Sequence, residues 1–318
     1  MRGRIFIASE HGFCFGVNHA VGMVEKAVQT GPYPVRVLHE IVHNEYVVDS
    51  FRRRGVEFFE ELDPSWSGGT LIFSAHGVSR AIEETAWKMD VTLLDATCPL
   101  VKKMHARAAE FESAGRTVIL IGKRSHREIE GVIGRLRNAP IVVESRADID
   151  RIQLPSDAPL ACLTQTTLSV DDCAELFAVL KARFSDIEIK SGICAATSER
   201  QRAVKELAAH CPLILVIGSG NSSNSRKLRD VAESCGARAL LIASADELNP
   251  AELPDVDIGV TSGASAWQCP IPISCSIAPS ATSCLSSFFP DFSRIASALS
   301  RTCSLWEIRR RRSGVSSG

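Results

Sequence analysis

Cys14, Cys98 and Cys194 each stand between a strand-like run and a helix-like one, 84 (98 − 14) and 96 (194 − 98) residues apart. Equivalent positions in three similar units would bring three thiolates to one shared centre. Thiolates hold cubane iron-sulfur clusters, which four ligands saturate. Three therefore leave one iron open to bind a substrate oxygen as a Lewis acid while the cluster supplies electrons, a pairing zinc cannot offer. Elsewhere a free cysteine is ordinarily a small buried hydrophobe, which is the reading for Cys162, Cys173, Cys211 and Cys235.

The elements that must position these thiols are legible in the pattern. RIFIA precedes Cys14, and Val17, Ala20, Val21, Val24, Ala27 and Val28 follow at helical spacing. VTLLD precedes Cys98, followed by Val101, Met104, Ala108 and Phe111; IEIK precedes Cys194, followed by Ala203, Val204, Leu207 and Ala208. Each cysteine thus falls at a helix N-terminus, where the dipole is expected to lower a thiol pKa and tolerate an anionic group. Between these units run TLIFSAHGVS, RTVILIGKRSH, PLACLTQTTL, PLILVIGSGNSS and DIGVTSGAS. Strands alternating with helices predict an α/β fold with mostly parallel sheets.

Polar groups gather at the ends of those strands, where α/β proteins bind ligands. His43, His76 and His126 are hydrogen-bond donors suited to phosphate oxygens. GSGNSSNSRKL opens a helix as an anion-binding turn does, and Ser265 in TSGASA belongs to the same pattern. The chain lacks the GKS or GKT of a P-loop and any GxGxxG, which disfavours nucleotide hydrolysis and a direct nicotinamide site. Glu128, two residues after His126, is the acid candidate: burial would raise its pKa toward neutrality. Thr164, Thr166 and Thr167 offer hydroxyls for proton relay or substrate binding, with Ser169 as a helix cap.

Composition bounds the class. The 318 residues, 45% hydrophobic and 23% charged, can bury a large core and divide into two or three domains. A net charge of −1 gives no reason to expect nucleic acid or an anionic membrane as partner. The apolar run Leu213 to Ile217 is far shorter than the roughly 20 residues of a membrane span, and the N-terminus has too short an apolar stretch for a secretory signal. A cytoplasmic protein with reduced, metal-binding thiols is the expectation.

GFCFGVNHAV, IVHNEYVV, FSAHGVS, DATCPLV, TQTTLSVDD, IC followed by ATSERQ, GSGNSSNS and VTSGASA, in this order, resemble the 4-hydroxy-3-methylbut-2-enyl diphosphate reductase family, over about residues 4 to 266. The resemblance implies three α/β domains related by pseudo-threefold symmetry around a central [4Fe-4S] cluster. These fall at 14–97, 98–193 and 194–267, with residues 1–13 as a strand packing with the third and 268–318 as an aberrant tail. It implies cluster ligation by Cys14, Cys98 and Cys194, and diphosphate binding by His43, His76, His126, Ser222, Ser223, Asn224 and Ser265. Proton delivery falls to Glu128 with Thr166, and Thr197 lines the pocket. The implied reaction is reductive dehydroxylation of the allylic diphosphate to isopentenyl and dimethylallyl diphosphate, the last step of the methylerythritol phosphate route. Electrons would come from a ferredoxin or flavodoxin, with NADPH upstream.

Two departures stand out. The family's GHPEV reads SHREI here, so Ser125 and Arg127 replace Gly and Pro, and an arginine there is expected to alter the loop or depress the pKa of Glu128. From Trp267 the chain turns rich in Ser, Cys and Pro. Six arginines against Asp291 and Glu307 give this tail +4, leaving −5 for the rest. The shift reads as a frame-shifted segment, with a disordered tail as the alternative; re-sequencing the 3′ end of the gene decides. Cys269, Cys275, Cys284 and Cys303 are not expected to be ligands. An active reductase leads, against an inactive cluster- or diphosphate-binding sensor and an open-iron hydro-lyase that needs no electrons.

Overall fold

A computed structural model describes residues 3–244, 247–248, 253–266 and 308–309. By internal contacts the chain forms two compact units, residues 14–195 and residues 1–13 with 196–318.

In chain order the elements are β1 (Ile5–Ile7), α1 (Phe15–Thr30), β2 (Val35–Leu38), α2 (Glu45–Arg52), β3 (Val56–Phe59), β4 (Thr70–Phe73), α3 (Arg80–Ala86), β5 (Thr92–Asp95) and α4 (Pro99–Ser113). There follow β6 (Thr117–Ile121), α5 (Arg127–Ile133), β7 (Ile141–Val143), α6 (Arg146–Asp150), β8 (Leu160–Thr164), α7 (Val170–Arg183) and β9 (Ile187–Lys190). The last are α8 (Ala195–Ala208), β10 (Leu213–Ile217), α9 (Ser223–Ser234), β11 (Arg238–Ile242), β12 (Ile258–Ser262) and β13 (Ile308–Arg309).

The unit of residues 14–195 holds two sheets, ordered β3-β2-β4-β5 and β7-β6-β8-β9, and every strand pair is parallel. Parallel strands joined by helical crossovers are covered on both faces, so their central members read as unbroken apolar runs. β4 and β8 are accordingly buried at every position. Leu38, Leu71 and Phe73 pack with α3 in one core, while Ile119, Ile121, Leu160 and Cys162 pack with α7 in the other.

The second unit holds one parallel sheet, β11-β10-β12-β1-β13. The two-residue β13 pairs with β1 at Ile5 and Phe6, so this part of the tail is strand rather than disordered. The rest of the expectation for residues 268–318, Cys269, Cys275, Cys284 and Cys303 included, lies outside the described residues. Among the described residues no helix is long and apolar enough to cross a membrane.

The helices begin where their sequences dictate. Pro99 sits at the first position of α4, where its missing N–H is no loss. Ser169 caps α7 by accepting from the N–H of Asp172 at 3.2 Å, and Ser222 caps α9 by accepting from Ser225 at 3.3 Å. In all three sheets the residues singled out for chemistry lie within seven positions beyond a strand's carboxyl end: Cys14 after β1, His43 after β2, His76 after β4, Cys98 after β5, His126 after β6, Thr166 after β8, Cys194 after β9, Ser222 after β10 and Ser265 after β12.

Candidate functional site

Cys14 and Cys98 are the N-cap residues of α1 and α4, and Cys194 immediately precedes α8. Globular helices commonly carry Asp or Glu in the first turn to complement the dipole. None of these three does, which leaves their positive ends to an anionic group. All three thiols are half-buried. Cys98 is raised above the ordinary thiol value chiefly by burial; the N–H groups of Leu100 and Val101 pull it down, and the neighbouring Cys14 and Cys194 push it up again. Burial therefore outweighs the lowering expected from the helix start.

The Cys98 sulfur is near enough to Cys14 and to Cys194 to feel the charge of each. Yet among the described residues no three His, Cys, Asp or Glu side chains group as a single metal ion requires. Thiolates that bind separate irons of a cluster need no such single focus, so the set fits a polynuclear centre. Gly16 shapes it: a Cβ there would lie 2.6 Å from Cys98 Sγ and 4.0 Å from Cys14 Sγ. Gly16→Ala is expected to displace the Cys98 sulfur and cost about 1–3 kcal/mol, measured by thermal or urea unfolding against wild type.

His43, His76 and His126 form one cluster of rings. His43 stacks on His76 with centroids 4.1 Å apart, and His126 stands edge-on to both at 5.5 and 6.0 Å. His43 Nδ1 lies 3.2 Å from Glu40 Oε2. His126 Nδ1 accepts the N–H of Glu128 at 3.2 Å, which leaves the ring proton on Nε2. His76 is held well below the usual imidazole range, first by desolvation and then by repulsion from His43 and His126, with His39 and Arg127 adding to it. His76 so placed resists protonation, and a bound polyanion would supply the missing counter-charge.

Glu128 lies in α5, only 2% exposed. Thr166 holds both of its oxygens, the backbone N–H donating to Oε1 and Oγ1 to Oε2, each at 2.8 Å. Burial raises the carboxyl to about 7 against the opposing pull of those two hydrogen bonds. The Thr166 carbonyl in turn accepts the N–H of Cys194 at 3.0 Å.

Arg127 does not depress this acid. Its guanidinium turns to Glu60 at 2.6 Å and Glu130 at 2.9 Å, and burial sets the direction at Glu128. Arg127→Pro is therefore expected to leave the titration of Glu128 unmoved, as read from its carboxyl band in infrared difference spectra.

The other unit carries the remaining residues. Ser265 Oγ donates to Ser222 Oγ at 3.4 Å, and Ser223 opens α9. Asn224 is 4% exposed, and neither its amide oxygen nor its nitrogen has a hydrogen-bond partner. A buried unsatisfied amide is costly, as expected of a ligand-binding group. Thr197 is buried in the first turn of α8.

Sequence reasoning passed over several residues that build these groups. Gln165 ties the ends of β6 and β8, accepting from Lys123 N at 3.1 Å and donating to Thr167 Oγ1 at 2.9 Å. His39 adopts φ 64° and lies 3.5 Å from Glu60, in a left-handed conformation uncommon outside glycine. Asn44 caps α2 by accepting from Val47, a cap that the polar residue ahead of EYVV advertised. Cys162, Cys173 and Cys211 are buried as expected, but Cys235 is exposed at the end of α9.

The family model described as LytB protein matches residues 5–271. The 4-hydroxy-3-methylbut-2-enyl diphosphate reductase 2 of Bradyrhizobium diazoefficiens is 45% identical over 265 residues, 82% of this chain and 86% of that protein. The reductase of Bordetella pertussis is 46% identical, covering 82% of each. The solved structure of the E-1-hydroxy-2-methyl-but-2-enyl-4-diphosphate reductase from Plasmodium falciparum superposes with a TM-score of 0.82 at 31% identity, covering 100% of this chain and 94% of that one.

Proposed function

The chain belongs to the LytB protein family, and from that premise we propose that it reduces (E)-4-hydroxy-3-methylbut-2-enyl diphosphate to isopentenyl and dimethylallyl diphosphate. Two electrons and two protons enter, the allylic C–O bond breaks, a C–H bond forms, and water leaves. Cys14, Cys98 and Cys194 are the residues that would hold a [4Fe-4S] cluster. The charge coupling of Cys98 to Cys14 and Cys194 and the acid-free helix starts behind the three support that reading. When bound, such a cluster supplies the electrons singly and an iron corner of Lewis acidity. The electrons come from a ferredoxin or flavodoxin.

The observation that carries the proposal is the Glu128–Thr166 pair. Hydroxide is a poor leaving group, so the reaction needs an acid that is still protonated near neutrality, and burial keeps Glu128 so. Thr166 Oγ1 both donates and accepts, which suits it to pass that proton to the departing oxygen. His43, His76 and His126 are the proposed diphosphate donors of residues 14–195, with His126 presenting its Nε2 proton. Ser222, Ser223, Asn224 and Ser265 are proposed as diphosphate-binding residues, and Thr197 for the substrate pocket. The inactive-relative reading turns on residues 268–318, of which only 308–309 are described.

Anaerobic turnover with reduced methyl viologen tests the proposal. Both products are expected, only when the donor is present. The protonated form of Glu128 dominates below about 7 and is lost above it, so kcat is expected to fall as pH rises through that value. A preparation with intact iron and sulfide that turns over nothing, or does so without a donor, would refute the assignment.

A further inference from the structure

We propose that the outward faces of α1 and α4, beside Cys14 and Cys98, form a docking surface for a small acidic protein that carries one electron at a time. The inference rests on the reductase reading, which requires electrons from outside the chain. Phe15, the first residue of α1, is 74% exposed, and Leu100, the second of α4, is 40% exposed. Each follows within two residues of a site thiol. The backbone of Gly16 lies against Cys98 Sγ, so the two helix starts that carry Phe15 and Leu100 abut. Exposed apolar groups of this size mark contact surfaces when they gather at one place.

The surrounding charge selects the partner. Away from the thiols, the exposed residues of α1 include Asn18, His19, Gly22 and Lys26. On α4, Leu100, Lys103 and Arg107 follow one another at helical spacing, with Lys102 beside them. Neither first turn holds an acid. Glu25 is held by Arg54 through two contacts of 2.7 Å, and Lys102 pairs with Asp95 at 2.6 Å. The next carboxylate on α4 is Glu110, close to the end of the helix away from Cys98.

An apolar centre beside the sulfurs with a basic apron is the complement of an acidic carrier: the centre excludes water, and the apron steers the encounter. Electron-transfer encounters are small, and electron tunnelling favours contact next to the thiolates. The same sign of charge argues against the other occupants. A second copy would set two basic aprons together, and residues 268–318 carry a net +4.

The test uses holoenzyme and an acidic [2Fe-2S] ferredoxin, with binding followed anaerobically by calorimetry at low and high salt. Wild type is expected to bind, more weakly as salt rises. The double variant Lys103→Glu/Arg107→Glu is expected to bind about tenfold more weakly and to raise the KM for ferredoxin by a similar factor. Its turnover with reduced methyl viologen, which needs no docking, should stay at the wild-type rate. Leu100→Ser, which removes an apolar anchor without touching the charges, should also weaken binding. Equal binding by wild type and both variants, or no salt-sensitive binding by the wild type, overturns the proposal. Loss of viologen-driven turnover in the wild type would count against the reductase reading instead, and the binding measurements would still decide the surface.

Discussion

Cys98→Ser is expected to abolish turnover and strip the protein of most of its iron and acid-labile sulfide. The Cys98 sulfur sits at the start of α4 with the N–H groups of Leu100 and Val101 turned toward it, close against Gly16. A serine hydroxyl at the same place remains protonated at neutral pH and is a poor ligand for iron, whereas a thiolate is the natural one. The fold should survive, because the side chain is half-buried and no core depends on it. Far-UV circular dichroism therefore stays at the wild-type signal while metal analysis and electron paramagnetic resonance change. Cys162→Ser is the contrasting control. It places a hydroxyl in the fully buried core beneath α7, lowering stability by about 1–3 kcal/mol with metal content intact. Full iron and sulfide in the Cys98 variant would remove that residue from the ligand set.

Glu128→Gln is expected to lower kcat by roughly 10²- to 10⁴-fold, the range for loss of a general acid, while making the folded protein more stable at pH 8. The two effects share one cause. Burial lifts the carboxyl from 4.5 to about 7, so between those values the folded state holds a proton the unfolded chain has released. Stability from this group is present below 4.5 and declines as pH rises to about 7. Above that, the buried carboxylate costs on the order of 3 kcal/mol. Glutamine keeps the shape and carries no charge to bury, so its melting temperature should exceed wild type at pH 8 and match it at pH 4. A variant with unchanged kcat would exclude Glu128 as the proton donor; one no more stable at pH 8 would show that the carboxylate is not desolvated.

The parts of the molecule that repeat were the parts legible in the sequence. VTLLD and the Val101, Met104, Ala108, Phe111 stripe became β5 and the buried face of α4. His43, His76 and His126 could be placed at strand ends because parallel strands deliver their loops to one edge. Their mutual stacking could not, since it depends on how the β2, β4 and β6 loops fold back. The direction taken by Arg127 was equally hidden, because its partner Glu60 lies 67 residues away at the end of β3. Cys235 was misjudged because a cysteine at a helix end carries no pattern that separates an exposed thiol from a packed one.

Thr166 joins two parts that could otherwise drift independently. Its N–H and hydroxyl clasp the carboxyl of Glu128, and its carbonyl takes the N–H of Cys194. The acid and the sulfur are thus measured from a single peptide, like two marks on one ruler. Displacing the segment that bears Cys194 pulls the rung, loosens the grip on the carboxyl and drives its pKa further up, since those bonds are what hold it down. An incompletely assembled molecule thereby mistunes its own acid, which ties proton delivery to the integrity of the sulfur scaffold.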